Sequence, residues 1–195
     1  VDVVEMPNFD LLPLLQRDRD LRVVPLPGQN MWQGFVRLNS AAGPFADAAV
    51  RRVVLMAVDQ SEGPQALGAT GELSLAQCLS FWMCGGPLET DAGSELARQP
   101  SIERAREALR QTAYRGEPVV ILQATDIDAP RIGSGVVAAR LREVGFDVEL
   151  QAMDWGTLSS RRTSKNPVAQ GGWSAFLSGP AAPDMWEPVG DLALR

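Results

Sequence analysis

Few side chains in this sequence have the means to do chemistry, and their spacing decides against most of what they might do. Histidine is absent, and the two cysteines, Cys78 and Cys84, flank Leu79 to Met83. Without CxxC spacing or any imidazole, neither a zinc site nor a Cys/His nucleophile pair can be assembled. That leaves a local disulfide in an oxidising compartment or two buried thiols. Asp126 and Asp128 are a pair of loop acids, but no further oxygen ligands follow at metal-binding intervals, and such a pair usually makes a solvated turn. Serine has no histidine base and no GxSxG elbow here, and the only lysine, Lys165, lies in a polar loop. Gly133, Gly135 and Ala138 spell GxGxxA. Dinucleotide binding needs those glycines in the turn directly after a strand, so that backbone can approach a pyrophosphate at a helix start. In this chain the preceding strand ends well upstream and Pro130 intervenes, so a nucleotide is not expected.

The aromatic residues are better placed. There are five tryptophans, Trp32, Trp82, Trp155, Trp173 and Trp186. Core packing accounts for most tryptophans, yet Trp155 follows one strand and Trp173 sits in another, positions from which flat amphipathic rings line clefts. Arg161 and Arg162 lie between them and suit bidentate pairing with a carboxylate. The plain alternative is a solvated basic pair at a helix end.

The elements that must carry these side chains are set by hydrophobic pattern. Pro118 to Gln123 is a continuous apolar run, rich in β-branched residues, that reads as a strand buried on both faces. Pro130 then suits a first helical turn. Ile132, Val136, Val137, Leu141 and Val144 mark the inward face of a helix that Gly145 should stop in the left-handed conformation. Phe146, Val148 and Leu150 alternate with Asp147 and Glu149 as a second strand. This βαβ unit requires an α/β layer with a right-handed crossover. Asp154 should cap a short helix ending near Arg161 and Arg162, and Gly171 to Leu177 a last strand. Upstream, Val1 to Glu5, Leu21 to Leu26 and Gln33 to Asn39 are strand candidates, with a hairpin-like turn at Pro27 to Asn30. Asn8 is a potential cap for a brief helix through Leu15, Asp47 caps a helix reaching Asp59, and Ser101 caps one reaching Thr112. Between Ser61 and Ser101 glycine and proline are frequent; a loop this long suggests function and leaves room for a short helix such as Ser74 to Phe81.

Composition bounds the class. A chain of 195 residues with 45% hydrophobic residues can bury one substantial core, and no apolar run approaches the ~20 residues of a membrane span. The net charge of −6 shows no basic stripe, which weighs against nucleic acid. The chain opens on Val1 in what reads as mid-strand and stops at Asp191 to Arg195 without a terminating element, as expected of a fragment.

Several stretches, taken in order, resemble one family. Gly34 to Gln60 contains a strand ending in Asn39, a Pro44-Phe45 turn and a helix ending in Ala57-x-Asp59. The helix from Ser101 follows, then Tyr114, Gly116 and Glu117, a strand, a helix ending in Glu143-Val144-Gly145, and a strand. The Cys78 to Pro87 loop and the Asp154, Trp155, Arg161, Arg162 cluster fit one branch. Together these resemble the family 5 extracytoplasmic solute-binding proteins of ABC importers, the dipeptide, oligopeptide and nickel-binding group, from about Val1 to Val189. The resemblance implies an α/β lobe, a mixed sheet flanked by helices, forming one half of a two-lobed periplasmic binding protein of class II type. Residues 1–195 would be mainly its second large lobe, with hinge connections near both ends. It implies a periplasmic or extracytoplasmic monomer without catalysis, cofactor or metal, which captures a peptide-like or other small organic solute between its lobes and passes it to a membrane permease. The implied ligand-binding residues are Trp173, Phe176, Trp155, Arg161, Arg162 and Asp154. Family members often carry Asp three residues after that tryptophan to receive a peptide ammonium; Phe176 stands there instead. The histidine contact of nickel carriers is missing too. The competing reading is an α/β enzyme domain acting on a small acid or nucleotide.

Overall fold

The computed structural model describes residues 2–26, 31–75, 77–179, 181–186 and 189. Its centre is the βαβ unit. Strand β2, Val119–Ala124, is buried at Val119, Val120, Ile121, Leu122 and Ala124, because apolar layers cover both of its faces. Helix α5, Asp128–Val144, crosses over to β3, Val148–Met153, which runs parallel to β2 in the register Val119 opposite Val148. Gly145 ends α5 at φ 116°, where its N–H meets the carbonyls of Leu141 and Arg142; a residue with a Cβ is disfavoured there. The face that α5 buries differs from the expected one. Pro130, Gly133, Ser134, Val137, Ala138, Leu141 and Val144 face inward, while Ile132 and Val136 are only partly covered. Small residues permit the closer approach: a Cβ on Gly133 would meet the end of the Leu177 side chain at 2.7 Å. The GxGxxA glycines thus lie inside a helix.

On the other side of β2 lies β4, Ala175–Ser178, parallel to it, and beyond β4 the antiparallel β1, Phe35–Leu38. The sheet order is β1-β4-β2-β3. One face packs under α2, Ala48–Ala57, α4, Ile102–Arg110, and α5, with Phe45, Val50, Val53, Leu109, Val119, Ile121, Leu141 and Ala175 in the main core. Each of the larger of these side chains, removed from water, contributes about 1.5–3 kcal/mol. The helix starts follow their polar caps: Asp47 accepts from the Ala49 N–H at 2.8 Å, and Ser101 from the Arg104 N–H at 3.3 Å.

Four local expectations need correction. Asp2 to Val4 and Leu21 to Leu26 are irregular, not strands. Val3 and Val4 are 82% and 66% exposed, and β-propensity without a partner edge and a face to pack on does not hold a strand. The expected turn at Pro27 to Asn30, like Val1 and Asp191 to Arg195, lies outside the described residues. In the N-terminal helical stretch, a 3-10 turn at Phe9–Leu11 precedes α1, Leu12–Leu15, and Asn8 makes no side-chain cap bond. The last strand begins at Ala175, not Gly171, for reasons given below.

The long connection before α4 holds α3, Glu62–Ala66, and a 3-10 turn at Gly71–Leu73, but the described residues of the segment Ser74 to Phe81 are not helical. Cys78 and Cys84 form a disulfide with Cα atoms 5.8 Å apart at a sequence separation of 6. A helix would separate such residues by about 9 Å, so the cross-link and a helix running through it exclude each other. This settles the cysteine alternatives. The loop is held to the rest by the Cys78 N–H on Gln60 Oε1 at 2.8 Å, and Met83 packs with Met185, Met31 and Trp186 in a small separate cluster.

Candidate functional site

The alternation of β2 sends Val120, Leu122 and Ala124 to the face opposite the main core. There they are joined by Leu158 of α6, Trp155–Arg161, and by Trp173, Phe176, Met153, Trp155 and Val168. This second layer is small, because among the described residues α6 is its only α-helix.

α6 is fixed at its start by Asp154, whose carboxylate accepts from the Thr157 N–H at 2.9 Å and the Thr157 hydroxyl at 2.5 Å. The Thr157 hydroxyl and then its N–H hold the Asp154 carboxyl below the usual carboxylate range. The Trp155 N–H donates to Asp126 Oδ1 at 2.9 Å, tying the end of β3 to the loop after β2. The other loop acid, Asp128, pairs with Arg131. Both aspartates are therefore in structural use.

Trp173 is set by a different device. Asn39, buried at the end of β1, donates from Nδ2 to the Trp173 carbonyl at 2.9 Å, and its own N–H donates to the Ser174 carbonyl at 2.8 Å. Ser174 in turn gives its N–H to the Val120 carbonyl at 2.8 Å, and its hydroxyl accepts from the Val120 N–H at 3.1 Å. Side chains thus take part in bonding where a regular ladder would be expected, which is why β4 starts only at Ala175. The Asn39 signal was present in the sequence as an asparagine ending a strand, but nothing local linked it to a residue 134 positions away.

Four of the six expected residues converge. The Trp173 and Phe176 rings meet edge-on with centroids 5.2 Å apart. The Arg162 guanidinium lies 5.8 Å from the centre of the Trp155 ring and 5.7 Å from that of Phe176, within reach of cation–π attraction. Arg161 points elsewhere, donating to the carbonyls of Gly171 and Gly172 at 3.2 Å each, and so supports the loop that leads into Trp173. Asp154 sits at the helix cap. Register adds a residue that sequence reasoning did not single out: Arg37 stands opposite Phe176 in the β1–β4 pairing and therefore on the same face.

The remaining tryptophans are scattered. Trp32 bridges to Ala181, Trp82 meets Phe81 edge-on, and Trp186 packs in the methionine cluster. A concavity of about 490 Å³ lies in the helical layer between α3 and α5, but its walls carry Glu62, Arg140 and Glu143, which pair with one another. Its charges are already satisfied, so the aromatic face is the stronger candidate. Among the described residues no three His, Cys, Asp or Glu side chains gather to hold a metal ion, and no helix is long and apolar enough to cross a membrane.

Known proteins give this arrangement its context. A probable peptide ABC transporter periplasmic-binding protein, y4tO, from Sinorhizobium fredii (strain NBRC 101917 / NGR234) is 33% identical over 180 residues, covering 91% of this chain and 33% of that protein. Among solved structures, the ABC transporter substrate-binding protein CtaP from Listeria monocytogenes matches with a TM-score of 0.68 at 15% identity, over 85% of this chain and 34% of its own. The periplasmic binding protein DppA from Helicobacter pylori, solved in complex with the peptide STSA, matches with a TM-score of 0.65 at 16% identity, over 97% of this chain and 34% of its own. The structural likenesses establish the shared fold, and the chain spans about a third of the length of these relatives. The model for the middle part of family 5 of the bacterial extracellular solute-binding proteins matches residues 1–191, so the chain belongs to that family.

Proposed function

We propose that this chain is the second large lobe of a two-lobed receptor serving an ABC importer. The receptor closes on a peptide-like or other small organic solute and delivers it to a membrane permease. The reading rests chiefly on one observation, an aromatic cluster of Trp155, Trp173 and Phe176 on one side of the sheet with a guanidinium over two of its rings, in a chain of this family. Flat amphipathic rings bind organic surface without reacting with it. The chain brings no histidine to act as a base and locks its two thiols together, so capture without turnover is the function assigned. The receptor works outside the cytoplasm as a monomer, without a cofactor or a nucleic-acid partner.

The test uses the full-length receptor. Mass spectrometry of material co-purifying with it identifies the solute, and thermal melts with and without that solute measure binding. A solute at a hundred times its Kd stabilises the native state by about 2.7 kcal/mol, and the solute is recovered unchanged. Steady consumption of the solute by purified receptor would replace capture with catalysis.

A further inference from the structure

The polar groups of the aromatic face are unequally satisfied, and the imbalance has a sign. Its acids are engaged: Asp154 by the N–H and hydroxyl of Thr157, and Glu149, on the outer strand β3, by Gln151 Nε2 at 2.8 Å. Arg161 donates to two backbone carbonyls. Arg162 is exposed and makes no hydrogen bond or ion pair with any described residue, although its guanidinium lies over the Trp155 and Phe176 rings, so its donors face solvent. Stacking on rings uses the charge and flat surface of a guanidinium and leaves its N–H donors available. A second donor stands in the same layer. Trp173 is only 8% exposed, and its Nε1 is buried without a hydrogen-bond partner among the described residues. A buried donor left unmatched is costly.

What this face lacks is therefore an acceptor, and an acceptor beside an unpaired guanidinium is best supplied by an anion. We infer that the solute is an organic carboxylate with a flat or apolar body, its carboxylate paired with Arg162 and its body against the half-buried Trp155 ring and the narrow exposed edges of Trp173 and Phe176. A free ammonium is not what this face selects: it would meet the like charge of Arg162 and acids already bonded to their neighbours. The inference rests on the solute-capture reading and deepens it.

The experiment separates the two. Full-length receptor, unfolded to remove resident solute and refolded, is dialysed against an equimolar mixture of N-acetyl dipeptides, which carry a carboxylate and no ammonium, and dipeptide amides, which carry an ammonium and no carboxylate. Each dipeptide contains one aromatic residue. Retained species are quantified by mass spectrometry. The acetylated acids are expected to be retained at least tenfold over the amides. Arg162→Gln is expected to lower that retention about tenfold while lowering the melting temperature of the free protein by only about a few degrees through the lost ring contacts, whereas Arg162→Lys, which keeps the charge, recovers part of the retention. Preference for the amides, or unchanged retention of the acids by R162Q, overturns the carboxylate assignment and leaves solute capture standing. If neither class is retained, the solute that co-purifies decides: an acid supports the assignment and a solute without an acidic group overturns it. If nothing is retained or co-purified, the capture reading falls and the inference falls with it.

Discussion

At Gly172 the backbone has no room for a side chain. A Cβ there would overlap the Asn166 carbonyl and crowd the Pro167 backbone, because the Gly172 N–H closes a turn onto the Pro167 carbonyl at 3.0 Å. The same turn receives Arg161 and leads directly to Trp173, so the constraint lies upstream of the aromatic face. Gly172→Ala is expected to destabilise the protein by about 1–3 kcal/mol, the usual cost of forcing atoms into a packed site. Gly135→Ala is the matched control. Gly135 lies within α5 with open space where its Cβ would go, and the substitution should stabilise by about 0.5–1 kcal/mol through the helix preference of alanine. Urea denaturation of both variants measures the pair, and two shifts of the same sign would refute this account of Gly172. The site residues were legible in the sequence as types and not as a constellation. Trp155, Trp173 and Arg162 stood out singly, but that Arg162 and not Arg161 reaches the rings depends on where α6 ends and on which carbonyls Gly171 and Gly172 present. Those are tertiary facts.

At the scale of elements, legibility followed how local the determinants are. The βαβ unit was readable because each boundary carries its own cause: a β-branched run, a proline early in the helix, a left-handed glycine at its end. The caps Asp47, Ser101 and Asp154 were readable for the same reason. The strands expected before Phe35 failed because pairing is decided by distant partners, and among the described residues neither segment pairs with the free edge of β1 or of β3. A second long-range device joins the two strands of the βαβ unit. The Tyr114 hydroxyl donates to the Glu117 carbonyl at 2.9 Å and accepts from the Asp147 N–H at 2.9 Å, linking the entry of β2 to the entry of β3. Burial of the ring against Phe146, 4.9 Å away between centroids, pushes the phenol above its usual range. The sign follows from linkage: with the folded pKa raised, the unfolded chain ionises first, so this contribution is intact below about pH 10 and is lost as pH rises through the folded pKa. Tyr114 is the only tyrosine, so the tyrosinate absorbance of this chain reports it directly. Its midpoint should lie above that of the unfolded chain. Tyr114→Phe should cost about 1 kcal/mol at neutral pH and flatten the alkaline fall in stability; an unaltered alkaline slope in the variant would exclude the linkage.

For the whole molecule, the decisive feature is the difference between the sheet's two faces. Among the described residues, three α-helices cover one face and build the main core, whereas the short α6 is the only α-helix against the other, where aromatic rings and Arg162 meet. With Trp173 and Phe176 largely covered, such a face presents the half-buried Trp155 ring and the exposed charge of Arg162, but it cannot surround a solute. Binding that excludes water from most of a small ligand needs a second wall. If that wall is another lobe, closure about a hinge supplies it, and affinity depends on both halves holding the solute together. This chain by itself should then bind the solute of the full-length receptor at least a hundredfold more weakly, a loss of about 2.7 kcal/mol. Isothermal titration of the 195-residue chain and of the full receptor with the same co-purified solute measures the ratio. Equal affinity would mean that this lobe encloses its ligand unaided, and the clamp would have to be abandoned for a pocket within the lobe.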